Sequence, residues 1–554
     1  MSKPDVTVVV AVYNTMPALT ECLESLVKQS IGLDRMEIVA VDDGSTDGGG
    51  KELDRYAERY PGTFKVIHQA NSGGPAAPSN RALDVATGRY VFFVGSDDYL
   101  GRKALQRMVA MADRHDSDIV LGKMVAVGDR SIPRAVFRST QASIPLIGSG
   151  ALYAISNTKL YRRALIEKHG LRFSEKLPVS SDMPFTLEAY VRAKTISVVA
   201  DYDCYYAVRR TDDSNITYRA RFENRLLVCG YALDRLDELV GPGELYDAFA
   251  TRLLKVDLAW IFGRNFLAMD AERREECVHA TARFLGKYYG DGAYERMEHQ
   301  LTVPQRLRFR WVLEEDAVAL AELVRMDSDG IFPPTLIEGD RAFARYPGFR
   351  NAGNSIPDFG FELTDNASDR LGSGVELESA EWYQADGELS LDIVVRTPFV
   401  GDTDSVVVRL VNGAMPRSSD KHGARRLPEG HKATPAPGEL TREPCEDGTG
   451  TVLRAQIPIE RRKAVLGVRV HADVAGSTYE IPVRTVGRPL PLARRWRRDN
   501  PYRISANANP KGRLVITTAP LWEPAPGVGE RLRDALYRSK LRPLLSRLKR
   551  KITR

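Results

Sequence analysis

The sequence predicts an α/β domain built on a parallel sheet, then a helical linker domain, a β-sandwich and a basic tail. Three changes of texture along its 554 residues carry that prediction. Over residues 1–225, short apolar runs alternate with helical patterns, the signature of βαβ units. Over 226–345 the pattern is nearly all helical, in Leu/Ala/Arg/Glu-rich stretches such as 248–269 and 272–289. Over 350–522, short alternating runs are separated by Gly, Pro and Asp turns, the spacing of a sandwich.

In the first domain each apolar run ends in a polar turn. Val6–Val12 runs into Tyr13-Asn14, with a helical pattern over 15–29. Glu37–Val41 ends in Asp42-Asp43-Gly44-Ser45-Thr46-Asp47, with a helix over 49–59. Asn71-Ser72-Gly73-Gly74-Pro75 precedes a helix over 79–86. Tyr90–Val94 ends in Gly95-Ser96-Asp97-Asp98, with a helix over 103–114. Ser180-Ser181-Asp182 precedes a helix over 186–193, and Arg209-Arg210 opens a polar loop. In open α/β sheets the ligand lies beyond the carboxyl ends of the strands, so the turns after the first, second and third of these runs and the glycine loop between them share one crevice. Glycines and acids there imply a nucleotide and a divalent metal. In the β region the runs are 375–382, 388–395, 405–411, 451–457, 466–471, 478–484 and 512–518, with 423–450 expected as a long loop.

Composition narrows the class. Hydrophobic content of 43% and charged content of 27% are those of a soluble globular protein. No run approaches the roughly 20 apolar residues of a membrane span, and the N-terminus lacks a signal-peptide pattern. Cys22, Cys204, Cys229, Cys277 and Cys445 show neither metal-ligand spacing nor a pairing framework, which suits a reducing cytoplasm. The net charge is +6, yet residues 527–554 alone hold ten Lys/Arg against two Asp/Glu. The rest of the chain is slightly acidic, which argues against a nucleic-acid partner. Leu532, Leu536, Leu541, Leu544, Leu545, Leu548 and Ile552 lie near helical spacing among the basic residues. Such a tail suits an anionic membrane surface, and equally a solvated helix packed on its own protein.

Each candidate has a chemical reading and a plainer one. Asp42-Asp43 can accept hydrogen bonds from a base or ribose while Ser45 or Thr46 caps the next helix, or it is simply an Asx turn. Asn71–Pro75 offers backbone amides to an anion, but it is neither a Walker loop nor the dinucleotide fingerprint. Asp97-Asp98 suits Mg²⁺ or Mn²⁺, hard ions that prefer carboxylate and phosphate oxygen. Asp182 is a helix cap or, if it faces the crevice, a general base. Arg209 and Arg210 present forks matched to phosphate, or form a solvated turn.

The order and spacing of these motifs resemble the family 2 inverting glycosyltransferases of GT-A (Rossmann-like) fold, over residues 5–215. Asn71–Pro75, Ser156–Arg162 and Tyr205-Tyr206-Ala207, with the helical linker and β module, resemble more narrowly the wall-teichoic-acid poly(ribitol phosphate) glycosyltransferases of the TarS/TarP type. The resemblance implies a UDP-sugar donor, UDP-N-acetylglucosamine in that group, and a polyanionic cell-wall polymer such as teichoic acid as acceptor. It implies a homo-oligomer, a trimer driven by the C-terminal module. It places Ala11, Tyr13, Asp43 and Asn71 on the uridine, with Ser96 also on the donor. Asp97 would hold Mn²⁺ or Mg²⁺ and the diphosphate, Asp182 would be the catalytic base, and Arg209 or Arg210 would meet the pyrophosphate. Three positions depart from the pattern. Gly95 replaces the first acid of Asp-x-Asp, Ser79 stands before Asn80 where an arginine is usual, and Ser214 or Asn215 occupies the neighbourhood of a metal-binding histidine.

The implied reaction is a single displacement with inversion, with the enzyme peripheral at the inner face of the cell membrane. Two other readings stay open: a transferase using another nucleotide sugar on another surface polysaccharide, and a catalytically silent nucleotide-binding scaffold.

Overall fold

The computed structural model describes residues 3–209, 221–331, 333, 335–338, 341–351, 355–363, 371, 375–397, 406–412, 424–428, 440–445, 451–460, 463–474, 477–496 and 501–521. The chain divides at Gly330 into two compact units.

The first unit carries an eight-stranded sheet. Its strands are β1 (Val6–Val12), β2 (Met36–Asp42), β3 (Phe64–His68), β4 (Tyr90–Gly95), β5 (Tyr99–Leu100), β6 (Ile119–Val127), β7 (Leu160–Arg162) and β8 (Ile196–Val208). The spatial order is β3-β2-β1-β4-β7-β6-β8-β5. β3, β2, β1 and β4 pair in parallel, whereas β7 runs antiparallel to both β4 and β6. β1 is central, and Val6, Val8, Val9 and Val10 are all buried. A strand covered on both faces needs such a continuous apolar run.

Helices α1 (Ala18–Val27), α2 (Gly49–Arg59), α3 (Ala76–Val85) and α4 (Ala104–His115) follow β1, β2, β3 and β5. α1 shows why: Leu19, Cys22, Leu23 and Leu26 recur at the spacing of one helical face, and all are buried. α5 (Arg163–His169) and α6 (Asp182–Arg192) lie between β7 and β8. Two helices begin earlier than the sequence suggests. α3 starts right after Pro75 and includes Pro78, while α6 starts at Asp182 and includes Pro184. Prolines there read as loop residues, but a first helical turn tolerates them because its N–H groups have no intrahelical partner.

Helix α7 (Phe222–Val240) crosses the expected boundary at 225, and helices continue to Ser328. This helical part is not separate from the sheet in the first unit. α7 packs on α6, and Arg235 grips Glu188 of α6 with two hydrogen bonds of 2.9 and 2.7 Å. Beyond Gly330 the helical texture gives way to a small antiparallel pair, β9 (Thr335–Glu338) and β10 (Arg341–Ala344).

The second unit holds two antiparallel sheets. One has the order β11 (Glu376–Ala385), β12 (Glu388–Thr397), β16 (Thr451–Pro458), β15 (Leu440–Pro444). The other runs β14 (Arg425–Arg426), β18 (Ser477–Pro482), β17 (Ala464–Val474), β21 (Leu514–Pro520), β20 (Tyr502–Ala508), β19 (Arg494–Trp496), with β13 (Val406–Asn412) also on β17. Their inner faces share one core, in which Leu391, Ile393 and Leu453 of the first sheet meet Val468, Val470 and Ile481 of the second. All seven expected runs form strands. The segment 423–450, expected as loop, carries β14 and β15. Trp382 is only partly buried, and its indole N–H donates to the Leu492 carbonyl at 3.0 Å, while Tyr383 is half exposed.

Candidate active site

The site lies where the strand order reverses, at the carboxyl ends of β1, β2 and β4. Register aligns Val12 with Asp42, and Ala11 with Val41 and Gly95, so the three polar turns leave the sheet side by side. Ala11 sits partly buried at the end of β1, and Tyr13, one residue past it, is half exposed. Asn14 has a φ of 50°, which turns the chain, and its side-chain oxygen accepts from the Thr46 N–H at 2.8 Å.

Asp43 is buried and ties the second turn to the glycine loop. Its carboxylate accepts from the Ser72 N–H at 3.1 Å, the Ser72 hydroxyl at 2.9 Å and the Gln69 amide at 2.6 Å. Asn71 is exposed, and its side chain closes an Asx turn on the Gly73 N–H at 2.9 Å. Gly44 makes this approach feasible. Its φ is +77°, and a Cβ there would lie 2.8 Å from the Asn71 nitrogen. The preceding acid, Asp42, faces away from the loop. Burial raises its pKa, but hydrogen bonds from Ser45 and His68 outweigh that and hold it below the usual carboxylate range.

The third turn separates its two acids. Asp98 is buried, accepting from the Tyr205 hydroxyl at 2.6 Å and the Val208 N–H at 2.7 Å. Burial, and then neighbouring Asp97, pushes its pKa up to about 6, with Arg130 among the groups that oppose the rise. Tyr205 also accepts from the Gly95 N–H at 3.1 Å, so one phenol fixes both ends of the turn. Ser96 is buried, while Asp97 remains partly accessible. A Cβ on Gly95 would lie 2.9 Å from Asp98 Oδ2 and 3.2 Å from Asp97 Oδ1. The space that an acid at 95 would use is therefore taken by the two that follow it.

For Mg²⁺ or Mn²⁺ the donor set here is small. Among the described residues no three His, Cys, Asp or Glu side chains cluster in a metal-binding arrangement. Asp97 alone fits an ion that takes one or two carboxylates and completes its shell with phosphate oxygen and water.

Asp182 is the first residue of α6 and partly buried. Because β7 is antiparallel to β4, the chain entering β7 lies beside the carboxyl end of β4. From there the Asn157 N–H donates to the Asp182 carboxylate. Burial raises the Asp182 pKa, and the charge of Lys159 opposes the rise. The loop before Asp182 borders the glycine loop, for a Cβ on Gly74 would lie 3.2 Å from the Pro178 carbonyl oxygen. Arg209 follows β8, its N–H bonded to the Val127 carbonyl at 3.1 Å. Arg210 lies outside the described residues.

Sequence reasoning assigned no role to Tyr205, Lys159 or Arg130. Tyr205 and Lys159 stood inside quoted motifs, and a lysine entering a buried strand was the available signal. Nothing in the sequence pointed to Arg130.

An acid-lined switch point on a mixed α/β sheet, with a carboxylate at a facing helix start, defines a GT-A-type nucleotide-sugar fold. The comparisons agree. A family profile for glycosyl transferase family 2 matches residues 7–170, and one for the TarS linker domain matches 228–324. A poly(ribitol-phosphate) beta-glucosyltransferase of Bacillus spizizenii is 30% identical over 62% of this chain and 53% of its own length. The poly(ribitol-phosphate) beta-N-acetylglucosaminyltransferase TarS of Staphylococcus aureus is 40% identical over 37% of this chain and 35% of its own. The chain thus spans about half, or a third, of the length of these curated relatives. The crystal structure of S. aureus TarS shares the fold, with a TM-score of 0.57 at 22% identity over 94% of this chain and 86% of that one. TarS 1–349 in complex with UDP-GlcNAc gives a TM-score of 0.54 at 27% identity over 65% of this chain and 99% of that one. The chain belongs to glycosyltransferase family 2, on the TarS/TarP side of that family.

Proposed function

We propose that this chain is an inverting glycosyltransferase moving a sugar, N-acetylglucosamine in our reading, from a UDP-sugar to a hydroxyl of a poly(ribitol phosphate)-type cell-wall polymer. The observation that carries the reading is Asp182, held by the Asn157 N–H beside the end of β4, with the Asp43-locked glycine loop bordering the same crevice. The poly(ribitol phosphate) specificity in the relatives' names, and the UDP-GlcNAc bound to TarS 1–349, support the acceptor class and the donor.

In this mechanism Asp182 takes the proton of the acceptor hydroxyl as its oxygen attacks the anomeric carbon. The bond from that carbon to the diphosphate breaks, and its electron pair leaves with the diphosphate on the opposite face. A well-placed base contributes on the order of 10²–10⁴ in rate. Asp43 and the 69–75 loop hold the nucleoside, with Ala11, Tyr13, Asn71 and Ser96 completing the donor site. Asp97 would hold a divalent ion, whose charge would stabilise the leaving diphosphate. Arg209 and Arg210 would add charge to the same group. The second unit would hold the polymer or assemble the chain into an oligomer, and the tail, which lies outside the described residues, would reach an anionic membrane. No described helix is long and apolar enough to cross a membrane.

The test is UDP release from a panel of UDP-sugars, with Mn²⁺ or Mg²⁺ and with chelator. Metal-dependent release from UDP-N-acetylglucosamine supports the full reading. Preference for UDP-glucose, the sugar type named for the Bacillus relative, would keep the transferase and change the donor. Release indifferent to chelator would remove the metal from Asp97. Absence of both release and UDP binding would sink the proposal.

A further inference from the structure

A buried ammonium without a counter-ion in contact is costly, so one beside an active site calls for a reason. Lys159 is 2% exposed, yet its Nζ donates to the Ser156 carbonyl oxygen and lies 5.6 Å from the ring centre of Tyr190. No described carboxylate is within ion-pair distance of it. Two links join it to Asp182. The first is mechanical: Lys159 closes the 156–159 turn through its ammonium on Ser156 and its own N–H on the Asn157 carbonyl at 2.7 Å. The Ser156 and Thr158 hydroxyls bond across the same turn at 2.8 Å, and this is the turn whose Asn157 N–H reaches Asp182. The second link is electrostatic. Asp182 is the charged group that acts on Lys159, and Lys159 the one that acts on Asp182.

We propose that Lys159 is a positioning residue for Asp182: its ammonium braces the turn that gives the carboxylate a backbone N–H, and its charge favours the ionised carboxylate. The proposal rests on the reading of Asp182 as the base. Among the described residues, the other titratable groups around the pair are phenols. Tyr161 of β7 bonds with Thr186 of α6 at 3.0 Å, and Tyr190 of α6 donates to the Ala154 carbonyl at 2.7 Å. Burial raises the pKa of both, so both stay neutral across the working range. Burial also lowers Lys159 to about 7. Its charge is therefore present at mildly acid pH, where Asp182, itself raised by burial, is in danger of protonation. A purely structural brace would not show that coincidence in pH.

The test measures kcat/KM against pH from 5 to 9 for K159M, K159R and D182N, using UDP-N-acetylglucosamine and a ribitol-phosphate oligomer. UDP affinity and Tm are followed in parallel, and K159Q serves as a second neutral variant should K159M fail to fold. In K159M the acid limb should move up by about one pH unit, the size expected for loss of a nearby opposite charge. Turnover would then fall most on the acid limb, by up to roughly tenfold, and approach the wild type at alkaline pH. K159R should restore the limb, and UDP affinity should not change. A uniform loss at every pH, or an acid limb that does not move in K159M while D182N is inactive, overturns the role of Lys159 while leaving the base in place. A D182N variant that retains turnover overturns both.

Discussion

At the scale of single residues, the site works by dividing labour between neighbouring acids. Asp42 and Asp43 are adjacent, yet one braces its own turn and the other holds the glycine loop. Asp97 and Asp98 divide similarly, with Asp98 turned inward onto Tyr205 and Asp97 partly accessible. Replacing Asp43 with Ala strands Ser72 and Gln69 and frees the loop. Its Kd for UDP, measured by calorimetry, should rise about 10- to 100-fold, since bonds to a charged group are worth about 1.5–3 kcal/mol. Asp182→Asn should leave UDP affinity unchanged and cut transfer by about 10²–10⁴, read as UDP release. The acids were legible in the sequence because each ends an apolar run. Their division was not, since which acid turns inward depends on Tyr205, more than a hundred residues away.

At the scale of elements, the parallel strands and their helices could be read from periodicity alone, since each buries a continuous or helical-spaced apolar set. Helix starts at Ala76 and Asp182 could not, because Pro78 and Pro184 read locally as breaks and only the finished helices show them in the first turn. The ends of β2 and β3 are joined to the middle of α2 by His68, which bonds to Asp42 at 3.0 Å and Asp54 at 2.9 Å. Hydrogen bonds donated to these carboxylates raise its pKa above 6.5. A raised histidine contributes stability that is complete below the unfolded pKa and is lost as pH climbs through the folded one. His68→Gln should therefore cost most near pH 6, about 0.2–1 kcal/mol for so exposed a group, with the Tm gap to wild type closing towards pH 9. A gap that widens with pH would contradict this.

At the scale of the molecule, the division at Gly330 separates chemistry from the β module. Every described residue assigned to the site lies in the first unit, with its own core and its own helical support. A chain ending at residue 330 should fold cooperatively and keep UDP binding and donor hydrolysis within about twofold. Failure of that piece to melt as one transition would show that the second unit is needed for the first to fold. The sandwich was legible as a set of strands, but β14 and β15 were hidden in a polar, proline-containing stretch. Both pair at sheet edges, where burial writes little hydrophobic pattern into the sequence.

The grip of Arg235 on Glu188 sets a limit on how this molecule can change over time. Glu188 stands six residues along α6 from Asp182, about 9 Å by helical rise, so both ride on one stiff rod. In the proposed reaction one end of that rod meets the acceptor, and the other is pinned by a helix outside the sheet. Helical regions exchanged between relatives would reset the depth of the base even with every catalytic residue retained. The two segments are thus bound to diverge as a matched pair, and a chimera should recover turnover only when the partner of Glu188 travels with the helix that carries it.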